Sequence, residues 1–344
     1  MQKREPLQFG SLILPNRIFY APLAGCSDFP FRKMSSRYNP GMIYCEMVKM
    51  DALVRYDQGS LHMLDYDAGM HPIGAQLCGS KPQIAGKAAR IVEDLGFDLV
   101  DLNCGCPVDK VTKDGSGSGM LKNPDLIGEV LTNIVAAVKI PVTVKIRAGW
   151  DEDSINAVEI TKIAERAGAK AICIHARTRQ QQYKGPANWN WIKACKEAAS
   201  TIKVVGNGDV VDGASALQMF KDTGCDAVLI GRGTLGRPWI AEEVLSFLDG
   251  KPLGPRSQED CRQALLEHFS YICSYHNDRR ALLDMRRVGC WYVKSSSGTR
   301  SFREHISRAS SLDEVRHLIS SFTMGEPAEG HEEKDRGDCS EGCG

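Results

Sequence analysis

Eight short apolar runs rich in β-branched residues alternate with segments of helical periodicity along the first two-thirds of this 344-residue chain. The runs begin roughly 24 to 43 residues apart, which leaves room for a crossover helix between strands and predicts parallel pairing. Eight such units predict a (β/α)8 TIM barrel, because the alternative, a doubly wound open sheet, usually has about five or six strands. The runs start at Arg17, Met42, Ile73, Asp98, Pro141, Lys170, Lys203 and Ala227.

Glycines follow several helical segments, at Gly96, Gly168 and Gly224, where a left-handed capping residue is expected. The strand pattern stops after Trp239, and a Pro/Gly-rich segment then leads into helical sequence that ends near Phe322. We therefore predict an α/β fold, a TIM barrel followed by a smaller all-helical C-terminal domain. The predicted boundaries are 1–245 for the barrel, 246–257 for a linker, 258–323 for the helical domain and 324–344 for an acidic, disordered tail.

The composition predicts a cytoplasmic protein that has no membrane contact, and we expect no stable protein partner. Apolar residues make up 42% of the chain, yet no run approaches the roughly 18 residues of a membrane span. The N-terminal segment MQKREPLQFG lacks the apolar stretch of a secretion signal. The thirteen cysteines are scattered through apolar segments such as AICIH, which indicates reduced core residues and excludes a disulfide framework.

The net charge is zero, but the charge is unevenly distributed. The last twenty residues hold seven acidic and two basic residues, whereas residues 277–308 hold eight Lys or Arg against three acidic residues. Arg280, Arg287 and Lys294 lie seven residues apart and therefore share one helix face. This segment predicts a surface for a polyanion.

Polar groups stand at the carboxyl ends of nearly all the predicted strands, where the active site of a barrel lies. Amide, thiol, ammonium, imidazole and guanidinium groups are costly to bury without a partner, so their clustering at one end predicts a catalytic site. The polar residues at these ends are Glu46, Gln76, Asn103, Cys106, Lys145, Arg147, His175, Arg177, Asn207, Asp209 and Arg232.

The loops after the seventh and eighth strands, residues 207–209 and 231–233, are the usual place for a phosphate site in a barrel. Their glycines let backbone N–H groups approach phosphate oxygens, and Arg232 adds a charged donor. A tight turn is the competing interpretation of Gly-Arg-Gly.

Lys145 and Arg147 are two residues apart on the fifth strand, so their side chains point to the same side. A lysine at this position suits an anionic reduced flavin, whose charge it neutralises. Pairing of Lys145 with a barrel carboxylate such as Asp101 is the alternative. His175 and Arg177 share one side in the same way, and the histidine is suited to bond a flavin phosphate, a flavin carbonyl or a uracil carbonyl.

Cys106 follows the fourth strand in the segment Asn103-Cys104-Gly105-Cys106-Pro107, and we expect its thiol to be exposed. A thiol of ordinary pKa is protonated at neutral pH and can act as a general acid toward a developing carbanion. A metal site is disfavoured because no second ligand pair stands at zinc spacing. Cys104 faces the other way and is expected to pack in the core.

Seven motifs together resemble the tRNA-dihydrouridine synthases over residues 7 to about 320, most closely the bacterial B-type branch. The most specific are the early block Ala21-Pro22-Leu23-Ala24-Gly25 through Asp28 and the Asn103–Pro107 block. The others are Gln76-Leu77-Cys78-Gly79, Val144-Lys145-Ile146-Arg147, His175-Ala176-Arg177-Thr178, Asn207-Gly208-Asp209 and Gly231-Arg232.

The resemblance implies an FMN-dependent enzyme that reduces the C5=C6 bond of uridines in tRNA, with NADPH as the electron donor. Hydride would reach uracil C6 from the reduced flavin, and Cys106 would protonate C5. The implied cofactor contacts are Pro22, Leu23, Ala24, Gln76, Lys145, His175, Asn207, Gly208, Asp209, Gly231 and Arg232. The expected substrate contacts are Asn103, Arg147, Arg177, Arg280, Arg286, Arg287 and Lys294.

Two departures from the family pattern stand out. Val288 follows Arg286-Arg287 where a histidine is expected, and Cys104 stands where the family usually has methionine. Two rival functions are a flavin barrel that acts on a small metabolite, similar to dihydroorotate dehydrogenase, and a noncatalytic RNA-binding protein. The first would have no use for a basic helical domain, and the second would bind no flavin.

Overall fold

The computed structural model describes residues 6–293 and 299–322. In these residues the chain forms ten strands, of which eight build the parallel barrel predicted from the sequence. The strands are β1 Leu7–Phe9, β2 Leu12–Leu14, β3 Ile18–Tyr20, β4 Ile43–Lys49, β5 Ile73–Cys78, β6 Leu99–Cys104, β7 Val142–Arg147, β8 Ala171–His175, β9 Lys203–Asn207 and β10 Ala227–Ile230.

Strands β3 to β10 are parallel neighbours in chain order, and β10 pairs with β3 through Val228–Ile18 to Ile230–Tyr20. The remaining seam is bridged where Phe19 pairs with Met42. The α/β barrel prediction is therefore confirmed. The hairpin of β1 and β2 was missed because each strand has only three residues; Phe9 and Leu14 join Phe19 in the core inside the barrel.

Fourteen α-helices lie in the described residues, and most of the first ten cover the outside of the barrel. The predicted glycine caps at Gly96, Gly168 and Gly224 all have positive φ, of 89°, 93° and 65°. The barrel helices are α1 Phe29–Ser36, α2 Met50–Leu53, α3 Gln58–His62, α4 Pro82–Asp94, α5 Asp109–Thr112, α6 Pro124–Ala137, α7 Ala157–Arg166, α8 Asn190–Ala198, α9 Gly213–Thr223 and α10 Ile240–Leu248.

Four further helices form a second group with its own core around Phe269, Met285 and Ile306. Ser257 caps the first of them in a capping box with Asp260, which fixes where helix starts after the Pro/Gly-rich segment. These helices are α11 Gln258–Tyr275, α12 Asp278–Tyr292, α13 Arg300–Arg308 and α14 Leu312–Ser321. The predicted acidic tail, 324–344, lies outside the described residues.

The helical group docks against the side of the barrel that carries β3 and α1. Met34 and Trp239 belong to the core of the helical group. Tyr275 stacks between Phe29 and His62, with ring centroids 4.5 and 4.9 Å away, and its hydroxyl donates to Asp65 at 2.7 Å. Across the described residues, no helix combines the length and apolar character needed to cross a membrane.

Candidate active site

Alternate residues of each strand point into the barrel or out toward the helices, and this alternation places the polar residues. On β7, Val144 and Ile146 lie in the core under the helices. Thr143 and Lys145 line a small cavity of about 10 Å³ inside the barrel, together with Asp101. The polar side chains near the strand ends therefore point toward the barrel axis, as the sequence spacing predicts.

Cys106 lies on the turn after β6 and is half-buried, so the expectation of an exposed thiol was wrong. The segment after α5 packs on the turn: Ser118 donates to the Cys106 carbonyl from its N–H (3.0 Å) and its hydroxyl (2.8 Å). Gly117, with φ +57°, approaches so closely that an added Cβ would lie 3.0 Å from that carbonyl oxygen. Burial raises the pKa of the Cys106 thiol, against a smaller lowering by the Val108 N–H and Arg147. At neutral pH the thiol keeps its proton.

Cys104 points away from Cys106, and its expected packing role is confirmed. It is fully buried, and its Sγ lies 3.7 Å from the Met120 sulfur. This contact places two soft, polarizable side chains next to each other in the core.

The turn that carries Cys106 is fastened to a buried chain of side chains. Asn103 Oδ1 accepts from the N–H groups of Gly105 (3.1 Å) and Cys106 (2.9 Å). The Asn103 amide donates to Gln76 Oε1 at 2.7 Å, and Gln76 donates to Asp101 Oδ2 at 2.7 Å. Asn103 and Gln76 are thus brought together by neighbouring strands β5 and β6.

Lys145 reaches into the barrel just below the mouth. Burial lowers the pKa of its ammonium, while Cys173 and Asp101 act in the opposite direction. In the part of the chain that the structure describes, Lys145 has no carboxylate within 4.0 Å, so the alternative of a direct ion pair with Asp101 is not observed. Asp101 bonds Gln76 and Thr143 instead, and burial raises its pKa to about 6.

His175 is buried at the end of β8 in strongly cationic surroundings. Burial, with further contributions from Arg147, Lys145, Arg177 and Arg232, holds the pKa of His175 well below its ordinary value. The ring is therefore neutral at pH 7 and offers one donor and one acceptor. The same surroundings favour an anionic ligand.

Arg147 and Arg177, both expected to contact substrate, are buried and hold the rim loops. Arg147 donates to the carbonyls of Gly105 (2.9 Å), Thr178 (2.9 Å) and Gln182 (2.8 Å), and burial lowers its pKa to about 10. Arg177 pairs with Asp209 at 2.7 Å and donates to the Gly185 carbonyl at 2.6 Å. These contacts give both arginines a role in shaping the mouth, and substrate contact remains a prediction.

The two loops predicted to hold a phosphate lie side by side, because β9 pairs with β10. Asn207 donates to the Leu229 carbonyl at 2.8 Å, which ties the loops together. Asp209 accepts from the Ala187 N–H at 2.7 Å and lies 3.7 Å from the half-exposed Arg232 guanidinium. Gly208 has φ +126°, and Gly231 has only ordinary contacts around the place where a Cβ would stand.

The early loop after β3 carries Pro22, Leu23 and Ala24. Pro22 lines the barrel cavity, and Leu23 lies beside Gly231. The next residue, Gly25, is held from two sides: its N–H donates to Glu46, and its carbonyl accepts from Arg287. The helical group thus contacts the loop that is predicted to contact the cofactor.

Three basic residues of α12, Arg280, Arg286 and Arg287, make bonds within the molecule. Arg280 and Arg287 share one helix face as predicted and both bond Asp284, at 2.7 and 3.1 Å. Arg286 donates to the Ala309 carbonyl at 3.0 and 2.8 Å and so joins α12 to the connection before α14. Lys294 lies outside the described residues. Contacts of these residues with RNA remain predictions.

Sequence reasoning missed three contributors to the mouth. Thr143 donates to Asp101 at 2.6 Å, and its inward position on β7 was the available signal. Glu46 was noticed only as a polar strand end, and its bond to Gly25 was not foreseen. Tyr183 stands over the guanidinium groups of Arg147 (5.5 Å) and Arg232 (4.9 Å), and no sequence pattern marked it.

The family model for dihydrouridine synthase (Dus) matches residues 19–324. The chain belongs to the dihydrouridine synthase family. The motifs that suggested the resemblance, from Ala21 to Arg232, all lie within the matched region.

Curated relatives agree with this assignment over nearly their full length. The chain is 37% identical over 308 residues to tRNA-dihydrouridine synthase B of Pseudomonas aeruginosa, covering 89% of this chain and 92% of that protein. It is 38% identical over 308 residues to the protein of the same name from Xanthomonas axonopodis, with the same coverage. A probable tRNA-dihydrouridine synthase 1 from Synechocystis is 37% identical over 320 residues, covering 92% and 88% of the two chains.

Solved structures support the barrel fold. A 2-naphthoyl-CoA reductase has a TM-score of 0.56 at 13% identity, covering 72% of this chain and 52% of that one. A morphinone reductase has a TM-score of 0.51 at 17% identity, covering 74% and 93%.

Proposed function

We propose that the chain is a tRNA-dihydrouridine synthase that binds FMN, uses NADPH as reductant and reduces uridines in tRNA. The observation that carries the proposal is the half-buried, protonated thiol of Cys106 beside a mouth lined by cationic groups. The names of the curated relatives support the substrate. Because tRNA is the proposed substrate, we also propose a cytoplasmic location.

The residues of the mouth fit a flavin nucleotide. The loops at Gly208 and Gly231 and the guanidinium of Arg232 suit the phosphate: Gly208 has the positive φ that glycine adopts, Gly231 brings no side chain to the loop, and Arg232 adds a charged donor. Lys145, from inside the barrel, suits the pyrimidine edge of the ring system, where negative charge develops on reduction. The four cationic side chains around His175 favour both the phosphate and the negatively charged pyrimidine edge of the flavin nucleotide.

When bound, reduced FMN supplies a hydride to C6 of the uracil ring. The protein's part is to provide the proton for C5. Cys106 is suited to this because its raised pKa keeps it protonated at neutral pH, and a held thiol near the reacting atom is an effective general acid. His175, neutral and buried, can bond a uracil carbonyl without competing for the proton.

The target uridine must leave its stack to reach this mouth, at a cost of about a few kcal/mol. Contacts between tRNA phosphates and basic residues of the helical group offset this cost, and binding should weaken with added salt. Arg279 and Arg280 are the exposed basic residues at the start of α12.

The proposal is tested with purified protein and unmodified tRNA. We expect a yellow preparation with flavin absorption, NADPH-dependent bleaching of that absorption, and dihydrouridine in the recovered tRNA by mass spectrometry. A colourless preparation that binds no added FMN, or full flavin reduction with no dihydrouridine in any tRNA, would contradict the proposal.

A further inference from the structure

Four hydrogen bonds inside the barrel run in one direction, from the Cys106 turn to Asp101, and a fifth reaches Asp101 from Thr143. The N–H groups of Gly105 and Cys106 donate to Asn103, and Asn103 donates to Gln76. Gln76 donates to one carboxylate oxygen of Asp101, at 2.7 Å. The Thr143 hydroxyl donates to the other oxygen, at 2.6 Å.

The direction of this chain is set at both ends. Asn103 Oδ1 accepts two backbone N–H groups, so its NH2 group must face Gln76. The Gln76 carbonyl oxygen is then the acceptor, and its NH2 group must face Asp101. A carboxylate can only accept, so Asp101 is the residue type that ends such a chain.

Because this chain of hydrogen bonds is buried, each of its bonds is costly to lose. Gln76, Asp101, Asn103 and Thr143 are 1%, 3%, 7% and 3% exposed, so water cannot replace a lost partner. A buried donor left without an acceptor is costly, so the loss of the acceptor at Asp101 would favour reversal of the Gln76 amide and, with it, of the Asn103 amide. A reversed Asn103 amide would present NH2 to the N–H groups of Gly105 and Cys106 and release the turn.

We propose that Asp101 is a positioning residue for Cys106: it fixes the amide orientations of Gln76 and Asn103 and thereby holds the turn that carries the thiol. The consequence for turnover rests on the proposed function, because it assumes that Cys106 is the proton donor. The consequence for the turn itself does not.

Two single substitutions and their combination test the direction of the chain. In Gln76→Glu, two carboxyl groups face each other across 2.7 Å and keep the bond while they share a proton, so we expect hydrogen exchange at Gly105 and Cys106 to accelerate about tenfold relative to wild type at the same pH only once the pH is high enough to remove that proton. In Asp101→Asn, a neutral amide replaces the charged acceptor, and we expect a smaller acceleration. The rate of Cys106 alkylation, followed on its peptide by mass spectrometry, should rise in the same order as the thiol becomes more accessible.

The double variant Gln76→Glu with Asp101→Asn exchanges the carboxylate and the amide. The introduced carboxylate accepts from Asn103 and from the introduced amide, whose oxygen accepts from Thr143, so every donor keeps an acceptor. We expect exchange and alkylation to return to within about twofold of the wild-type rates. Cys173→Ala, which alters the same cavity without touching the chain, is the control for general loosening of the barrel.

In turnover, Asp101→Asn should lower kcat for uridine reduction while KM for tRNA stays within about twofold of wild type. The proposal would be overturned by single variants that leave the exchange and alkylation rates unchanged. It would also be overturned by a double variant whose rates are no closer to wild type than the combined effects of the two single substitutions predict. Exchange and alkylation need neither tRNA nor turnover. A negative result in these two measurements is therefore distinguishable from an error in the proposed function, which would show itself as no dihydrouridine formation by the wild-type protein.

Discussion

Two loops at the mouth of the barrel are held in different ways. The Cys106 turn is fixed by Asn103, Ser118 and Arg147, which all belong to the barrel. The loop at Gly25 is held by Glu46 of the barrel on one side and by Arg287 of the helical group on the other. Among the residues that the structure describes, the bonds that position the proposed proton donor come from the barrel, whereas the loop predicted to contact the cofactor is held by both parts of the molecule.

This difference separates two kinds of substitution. Changes inside the barrel should affect the proton-transfer step, and changes in α12 should affect the early loop while leaving the Cys106 turn as it is.

Replacement of Cys106 should have the largest effect. Cys106→Ala removes the proposed proton donor, and we expect dihydrouridine formation to fall by roughly 10² to 10⁴-fold. FMN binding and reduction of the flavin by NADPH should be unchanged, as measured by flavin fluorescence and stopped-flow absorbance. Wild-type rates of dihydrouridine formation in this variant would remove Cys106 from the mechanism. Cys104→Ala is the matched control, since that thiol is buried away from the mouth.

Arg232→Ala tests the phosphate site on the loop after β10. The guanidinium is half-exposed, and a charge-assisted bond to a phosphate is worth about 1.5–3 kcal/mol. We therefore expect FMN affinity to fall roughly 10- to 100-fold in a fluorescence titration. Alkylation of Cys106 in flavin-free protein should stay unchanged. Unaltered FMN affinity would show that the phosphate is held elsewhere.

Arg287→Ala tests the shared support of the Gly25 loop most directly. We expect FMN affinity to fall by about three- to tenfold, because one of the two bonds that hold Gly25 is lost. Hydrogen exchange at Cys106 should not change. Arg280→Ala is the control, because this residue also pairs with Asp284 and its described bonds do not include Gly25. Equal losses of FMN affinity in both variants would contradict the claim that Arg287 specifically supports the Gly25 loop.

A pH-dependent effect on stability is expected in the helical group. His268 is buried, bonds Tyr292 at 3.1 Å, and burial lowers its pKa to about 4. Because the unfolded chain takes up a proton near pH 6.5, stability is full above that pH and falls as pH drops toward 4. We expect a loss of about 2 kcal/mol between pH 7 and 5, measured by urea unfolding. His268→Gln should flatten this dependence, and an unchanged slope would contradict the assignment.

The barrel could be predicted from sequence because strand spacing and alternation are local patterns. Lys145 and Thr143 face inward for the same reason that Val144 and Ile146 face outward. The half-burial of Cys106 could not be predicted, because it comes from residues 117 and 118, which return to the turn after a short helix.

The roles of the α12 arginines were equally beyond sequence reasoning. A basic helix face indicates a surface that binds a polyanion. Arg286 and Arg287, however, donate to carbonyls that are distant in the chain, at Ala309 and Gly25. Such partners are set by how elements pack, and no local pattern encodes them. The mouth could be predicted as a set of residue types, whereas the bonds among them required coordinates.

The central claim is that the thiol of Cys106 completes the reduction of uridine in tRNA. It is tested most directly by mapping dihydrouridine in tRNA from cells that lack this protein and from the same cells supplied with wild-type or Cys106→Ala protein. We expect one or more uridines to remain unreduced in the deficient cells, to be reduced again with wild-type protein, and to stay unreduced with Cys106→Ala. An unchanged dihydrouridine map in the deficient cells, or full restoration by Cys106→Ala, would contradict the claim.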